Sequence, residues 1–175
     1  VSLDHLMDLV RERPPSGATG ANPGLRVLVA GVHDGRLRTV GPFDDEDQLL
    51  EGVRASMAIP FWSGPPVYVG GEMVADGGLI ESIPAATPLG EGATHVITLR
   101  SRDGAYRKGR RGRLRGLAED RVLNRLPGRV PDMVRARPGL YDAEAHALSE
   151  AGAGHGAWAG RVLQLAPPAG TPLVG

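Results

Sequence analysis

The chain has 175 residues, zero formal net charge and no cysteine, which excludes a disulfide framework and thiolate metal sites and leaves global charge silent about partners. One domain of this length can bury roughly 70% of its unfolded surface. A hydrophobic share of 41% with 26 Gly and 15 Pro, without periodicity, indicates a loop-rich globular fold rather than a fibre.

Leu3, Leu6, Met7 and Val10 recur at helical spacing behind Ser2, an N-cap residue type, and predict a helix over 2–12. The start lacks the basic and apolar stretches of a signal peptide, and no apolar run approaches the roughly 18 residues that span a bilayer. The absence of cysteine fits a cytoplasmic location. The chain opens on Val1 and enters a helical pattern at once, as a segment cut from something longer would. After a Pro/Gly loop over 14–24, the apolar run Leu25–Val32 predicts a strand. Asp34-Gly35 marks a hairpin turn, and Arg36–Val40 an antiparallel partner. Asp44 and Asp45 then cap an amphipathic helix over 46–57, carrying Leu49, Leu50, Val53 and Met57.

Residues 59–66 form a loop, followed by short strands over 67–69 and 72–75 around Gly70-Gly71. Asp76-Gly77-Gly78 is the next loop, and a helix is predicted from Pro84, where proline suits a first turn. Thr94–Leu99 is predicted as a buried strand with His95 packed in the core. The five histidines show no metal-ligand spacing, so no metal site is expected. Residues 100–115 carry eight basic side chains against Asp103 alone. Two polar helices are expected over 113–126 and 131–150, broken at Pro127 and Pro131, and a last strand over 162–165. Neither a repeat nor a linker interrupts the chain, so a single domain is expected.

Asp76 is the side chain best placed for chemistry. It follows a short apolar run and precedes two glycines, which puts a carboxylate at a strand end on a tight turn. Such a group serves as a general base, or it simply bonds its own backbone in an Asx-type turn. Ser56 and Ser82 are the nearest serines, and neither stands in a nucleophile elbow. Ser56 is expected to pack, and Ser82 to make a loop hydrogen bond.

Several segments in order resemble the latter part of patatin-like phospholipases. They are Arg54-Ala-Ser-Met-Ala-Ile-Pro60, Pro65-Pro66-Val67, Gly70-Gly71, Asp76-Gly77-Gly78, Ile83-Pro84 and Thr94-His-Val-Ile-Thr-Leu99. The stretches Arg121–Tyr141 and Val162–Pro168 are similar to the bacterial branch with a helical C-terminal extension. The resemblance implies an α/β fold, a three-layer sandwich around a mainly parallel sheet, of which only the C-terminal portion is represented. Residues 1–100 would belong to the hydrolase domain; 101–175 would add a basic loop, helical extension and terminal strand to the same unit.

The activity it implies is lipid acyl hydrolysis by a Ser–Asp dyad, with Asp76 as base, Asp76-Gly77-Gly78 as its motif, and no metal or organic cofactor. The family's Gly-x-Ser-x-Gly nucleophile elbow and Gly-rich oxyanion loop do not occur in these residues. The isolated chain is therefore expected to be inactive unless an N-terminal fragment completes it. Ile59, Phe61, Trp62 and Pro65 are either a wall of the acyl pocket or ordinary core. Arg107, Lys108, Arg110 and Arg111 are either a solvated loop or contacts to an anionic lipid surface. That second option gives an alternative reading, a non-catalytic module at a membrane periphery or on another acidic partner. Nucleic acid is not expected, since Tyr106 is the only aromatic residue in the basic run. A partial sheet would leave an open edge and an uncovered apolar face, so homodimerisation, strand rearrangement or poor solubility is expected.

Overall fold

Val27–Gly31 forms β1, and its continuous apolar character has a direct cause: helices cover both faces of the sheet that it enters. The computed structural model describes residues 7–8, 11–12, 24–60, 63–107 and 120–171. The chain forms two compact units, one of Val1–Ile80 with Arg113–Arg135, the other of Glu81–Gly112 with Ala136–Gly175.

In the first unit, β1 is followed by β2 (Leu37–Val40), α1 (Glu46–Ser56), β3 (Val67–Val69) and β4 (Glu72–Asp76). The sheet order is β2-β1-β4-β3, and every pairing is antiparallel. The Asp34-Gly35 turn joins β1 to β2 as expected, with Gly35 at φ 67° and its N–H donating to Gly31 O at 2.9 Å. Gly70 and Gly71 both take positive φ, 59° and 83°, as the tight β3–β4 hairpin requires. Asp45 caps α1, its carboxylate accepting from Gln48 N at 2.8 Å.

Alternation along the strands sorts side chains between two cores. Val29 and Val74 face α1 and pack on Ala55. Ala30, Val32 and Ala75 face the other way, onto Leu79, Leu123, Val130, Met133 and Val134. Each fully buried Val or Leu here contributes roughly 1.5–3 kcal/mol. The last residues of the second core open α3 (Val130–Gly152). Pro131 therefore lies within the first turn of this helix, where a missing N–H is tolerated, and does not break it.

In the second unit are the short α2 (Ala86–Gly90), β5 (Val96–Leu99), the remainder of α3 and β6 (Val162–Leu165). β5 and β6 pair in parallel, with Ile97 opposite Leu163 and Leu99 opposite Leu165. The fold is thus mixed α/β, with parallel pairing in this sheet and antiparallel pairing in the other. Ile83, Ala85, Tyr141, Ala145, Leu148 and Val162 form its core.

The expectation of a wholly buried strand over Thr94–Leu99 is corrected. Thr98 is buried, but Ile97 and Leu99 are 64% and 80% exposed, and Leu163 and Leu165 share their face. Only one face of this two-stranded sheet is covered among the described residues. His95 is likewise no core residue: it precedes the strand, is exposed, and places Nδ1 3.2 Å from Thr94 Oγ1. Of the helix expected over 2–12, residues 7–8 and 11–12 are described and helical. Of that expected over 113–126, residues 120–123 are helical and 113–119 lie outside the described residues.

Candidate active site at the end of strand β4

Asp76 is the last residue of β4 and stands opposite Val29 of β1, an inner strand of the sheet. Two backbone contacts fix it. Its N–H donates to Ala58 O at 3.0 Å, and its Oδ1 accepts from Gly78 N at 2.6 Å. The second bond caps a single 3₁₀ turn, Gly77–Leu79, and sets the orientation of the half-buried carboxylate. The Asx-type local bond expected as the bland alternative is thus present. It is compatible with a catalytic role, because a carboxylate offers about four lone-pair sites.

The two glycines act through space rather than through left-handed backbone. Neither is among the residues with positive φ. A Cβ on Gly77 would lie 2.5 Å from both the carbonyl carbon and the oxygen of Leu28, in the backbone of β1. A Cβ on Gly78 would lie 3.0 Å from Asp76 Oδ1 itself. Gly77 lets the chain cross β1 closely, and Gly78 leaves room beside the carboxylate.

The support beneath Ala58 begins at the end of α1. Ser56 is half-buried and its Oγ donates to Val53 O at 3.0 Å, a helix back-bond. Ser63, which spacing did not single out, ties the following loop. Its Oγ accepts from Ile59 N at 2.9 Å and donates to Met57 O. A serine just before Gly64-Pro65 is the signal for such a loop tie. Ser63 therefore steadies the turn whose Ala58 carbonyl holds Asp76.

Ile59 is half-buried and Pro65 exposed, while Phe61 and Trp62 lie outside the described residues. Pro60 between them is fully buried. Ser82 belongs to the second unit, where its N–H donates to the Glu144 carboxylate at 3.1 and 3.2 Å. Arg107 is exposed and its Nη1 donates to the carbonyls of Gly104 and Tyr106, each at 3.0 Å. Lys108, Arg110 and Arg111 lie outside the described residues.

Residues 26–89, just over a third of the chain, match the family model Patatin, described as patatin-like phospholipase. The matched span runs from β1 through most of α2 and contains Asp76-Gly77-Gly78 with both of its backbone anchors, consistent with the patatin-like family. No curated protein matches the chain.

Proposed function

We propose that this chain supplies the general base of a lipid acyl hydrolase that works through a Ser–Asp dyad. The observation that carries this reading is the fixed carboxylate of Asp76 at a strand end, anchored by Gly78 N–H and through Ala58 O, inside the segment that matches patatin-like phospholipases.

A serine hydroxyl is a weak nucleophile until a positioned base accepts its proton. In the proposed reaction a serine outside these 175 residues donates that proton to Asp76 as its Oγ attacks the ester carbonyl carbon. Collapse of the tetrahedral intermediate expels the alcohol, which takes the proton back from Asp76, and leaves an acyl-enzyme. Water then attacks the acyl group, gives a proton to Asp76, and the serine leaves with it. The backbone anchors keep the carboxylate in one orientation through both halves, and such preorganisation is what makes a base efficient. Ile59 and Pro65, with Phe61 and Trp62, are proposed to border the acyl chain.

Removing a nucleophile from a serine hydrolase costs on the order of 10⁶ in rate, so the chain by itself is proposed to be inert. The test is reconstitution. An upstream segment bearing Gly-x-Ser-x-Gly, added to the chain, should restore hydrolysis of a short p-nitrophenyl ester. Asp76→Asn should then lower kcat by roughly 10²–10⁴, the usual contribution of a general base. Unchanged kcat in Asp76→Asn would remove Asp76 from the mechanism.

A further inference from the structure

The second unit contains a cleft of about 370 Å³ between the end of β5, the segment after it, and α3. Arg100, Arg102 and Arg137 line it, with Ser82 and Ser101, and no described lining residue is acidic. Two of these arginines are held in place with no counter-charge among the described residues.

Arg100 is clamped by neutral acceptors. Its Nη2 donates to the Tyr141 hydroxyl at 2.5 Å, and its Nη1 to Gln164 Oε1 at 3.0 Å and Gly104 O at 3.5 Å. The guanidinium lies 5.6 Å from the centre of the Tyr141 ring. Its Nε is buried and has no hydrogen-bond partner among the described residues. Arg102 stacks over Tyr106 at 5.0 Å, and Tyr106 meets Tyr141 edge-on at 5.7 Å and 79°. Two guanidinium groups are thus seated on a pair of mutually packed tyrosines. Glu144 accepts from the N–H groups of Ser82 and Ile83, which also line the cleft, and Asp103 Oδ1 accepts from Ala105 N.

A partly buried cation with neutral partners gains less than one with a counter-charge, and a buried donor without an acceptor adds a cost. An oxyanion in the cleft would supply the missing counter-charge. Guanidinium forks match phosphate geometry, and serine hydroxyls add donors. We propose that this cleft is a binding site for a phosphate monoester group, carried either by a small soluble compound or by a lipid headgroup. The apolar side chains of Ile97 and Leu99 at the same cleft, both exposed, offer a surface for an attached hydrocarbon portion. This inference does not rest on the hydrolase reading, since Asp76 belongs to the other unit.

Calorimetric titration of the chain with inorganic phosphate tests it, alongside co-sedimentation with phosphatidylcholine vesicles, plain or doped with phosphatidic acid. Saturable phosphate binding is expected, weakened about tenfold or more in Arg100→Gln and in Arg102→Gln, as loss of a charge-assisted bond implies. Among the described residues the Arg102 side chain makes no hydrogen bond, so Arg102→Gln decides the matter should Arg100→Gln fail to fold, with circular dichroism as the check. Vesicle binding that needs phosphatidic acid and falls in the same variants supports the proposal and identifies a headgroup. Phosphate binding without vesicle binding supports it and identifies a soluble ligand. Absence of saturable phosphate binding, or equal affinity in the wild type and Arg102→Gln, overturns it.

Discussion

Replacing Gly77 by alanine tests the account of the Asp76 turn at its tightest point. The added methyl would sit 2.5 Å from two backbone atoms of Leu28 and 2.7 Å from its Cβ. Carbon contacts are comfortable at about 3.5–4.0 Å, so an opening of about 1 Å is needed. β1 cannot give way easily, because it is hydrogen-bonded to β2 on one side and β4 on the other. Relief must come from displacing the turn, which loosens the Val29–Asp76 register and both anchors of the carboxylate. Overpacking against a fixed wall costs typically about 1–3 kcal/mol, and this site should fall near the top, at about 3 kcal/mol. Urea unfolding read by far-UV circular dichroism measures it. Two control substitutions separate the causes. Gly71→Ala adds a methyl where φ is 83° and no atom lies within 4 Å, so it should cost only about 1–2 kcal/mol of left-handed strain. Gly78→Ala meets a carboxylate oxygen, which can shift, and should cost about 1 kcal/mol or less while altering the Asp76 environment. If Gly77→Ala is no more destabilising than Gly78→Ala, the close-approach argument is wrong.

Asp45→Ala should destabilise the first unit by about 1 kcal/mol, the worth of an N-cap, measured by the same unfolding curves. Glu144→Leu leaves the N–H groups of Ser82 and Ile83 without their carboxylate and should cost about 3 kcal/mol; Glu144→Gln, which keeps one acceptor, should cost about 1 kcal/mol. Amide exchange at Ser82 and Ile83 should quicken in the leucine variant. The Asp34 carboxyl is held down at about 2, against an ordinary 3.8, first by the Arg38 guanidinium and then by Arg36 N–H. Because the folded state binds this proton less tightly than the unfolded chain, its stabilisation is complete above about 3.8 and is lost as pH falls through about 2. An NMR titration of Asp34 with a midpoint at or above 3.8 would contradict the Arg38 pairing.

Most of the first unit was legible in the sequence because its signals are local. The Asp34-Gly35 and Gly70-Gly71 turns fix the hairpins, Asp45 fixes the start of α1, and the first two strands follow from the apolar run Leu25–Val32 and the alternation over Arg36–Val40. The position of Asp76 at a strand end was equally legible. The reason for Gly77 was not, since the obstacle is the Leu28 backbone, far away along the chain. The second unit was harder for the same reason. Ile97 and Leu99 have the composition of buried strand residues, yet burial depends on what covers a face, and that is not a property of the strand itself. The arginines at 100 and 102 looked like part of one solvated run. Tyr106 and Tyr141 receive them, and Tyr141 lies on a helix 41 residues beyond Arg100.

The central claim, that Asp76 is half of an active site whose nucleophile lies outside these residues, is tested most directly by fluorophosphonate labelling of the 175-residue chain, read by peptide mass spectrometry. The account predicts that no serine is labelled in the chain alone. It also predicts that an added segment carrying Gly-x-Ser-x-Gly is labelled at its serine, far more slowly when Asp76 is replaced by asparagine. A serine of this chain that labels by itself, and loses its reactivity in Asp76→Asn, would contradict the account.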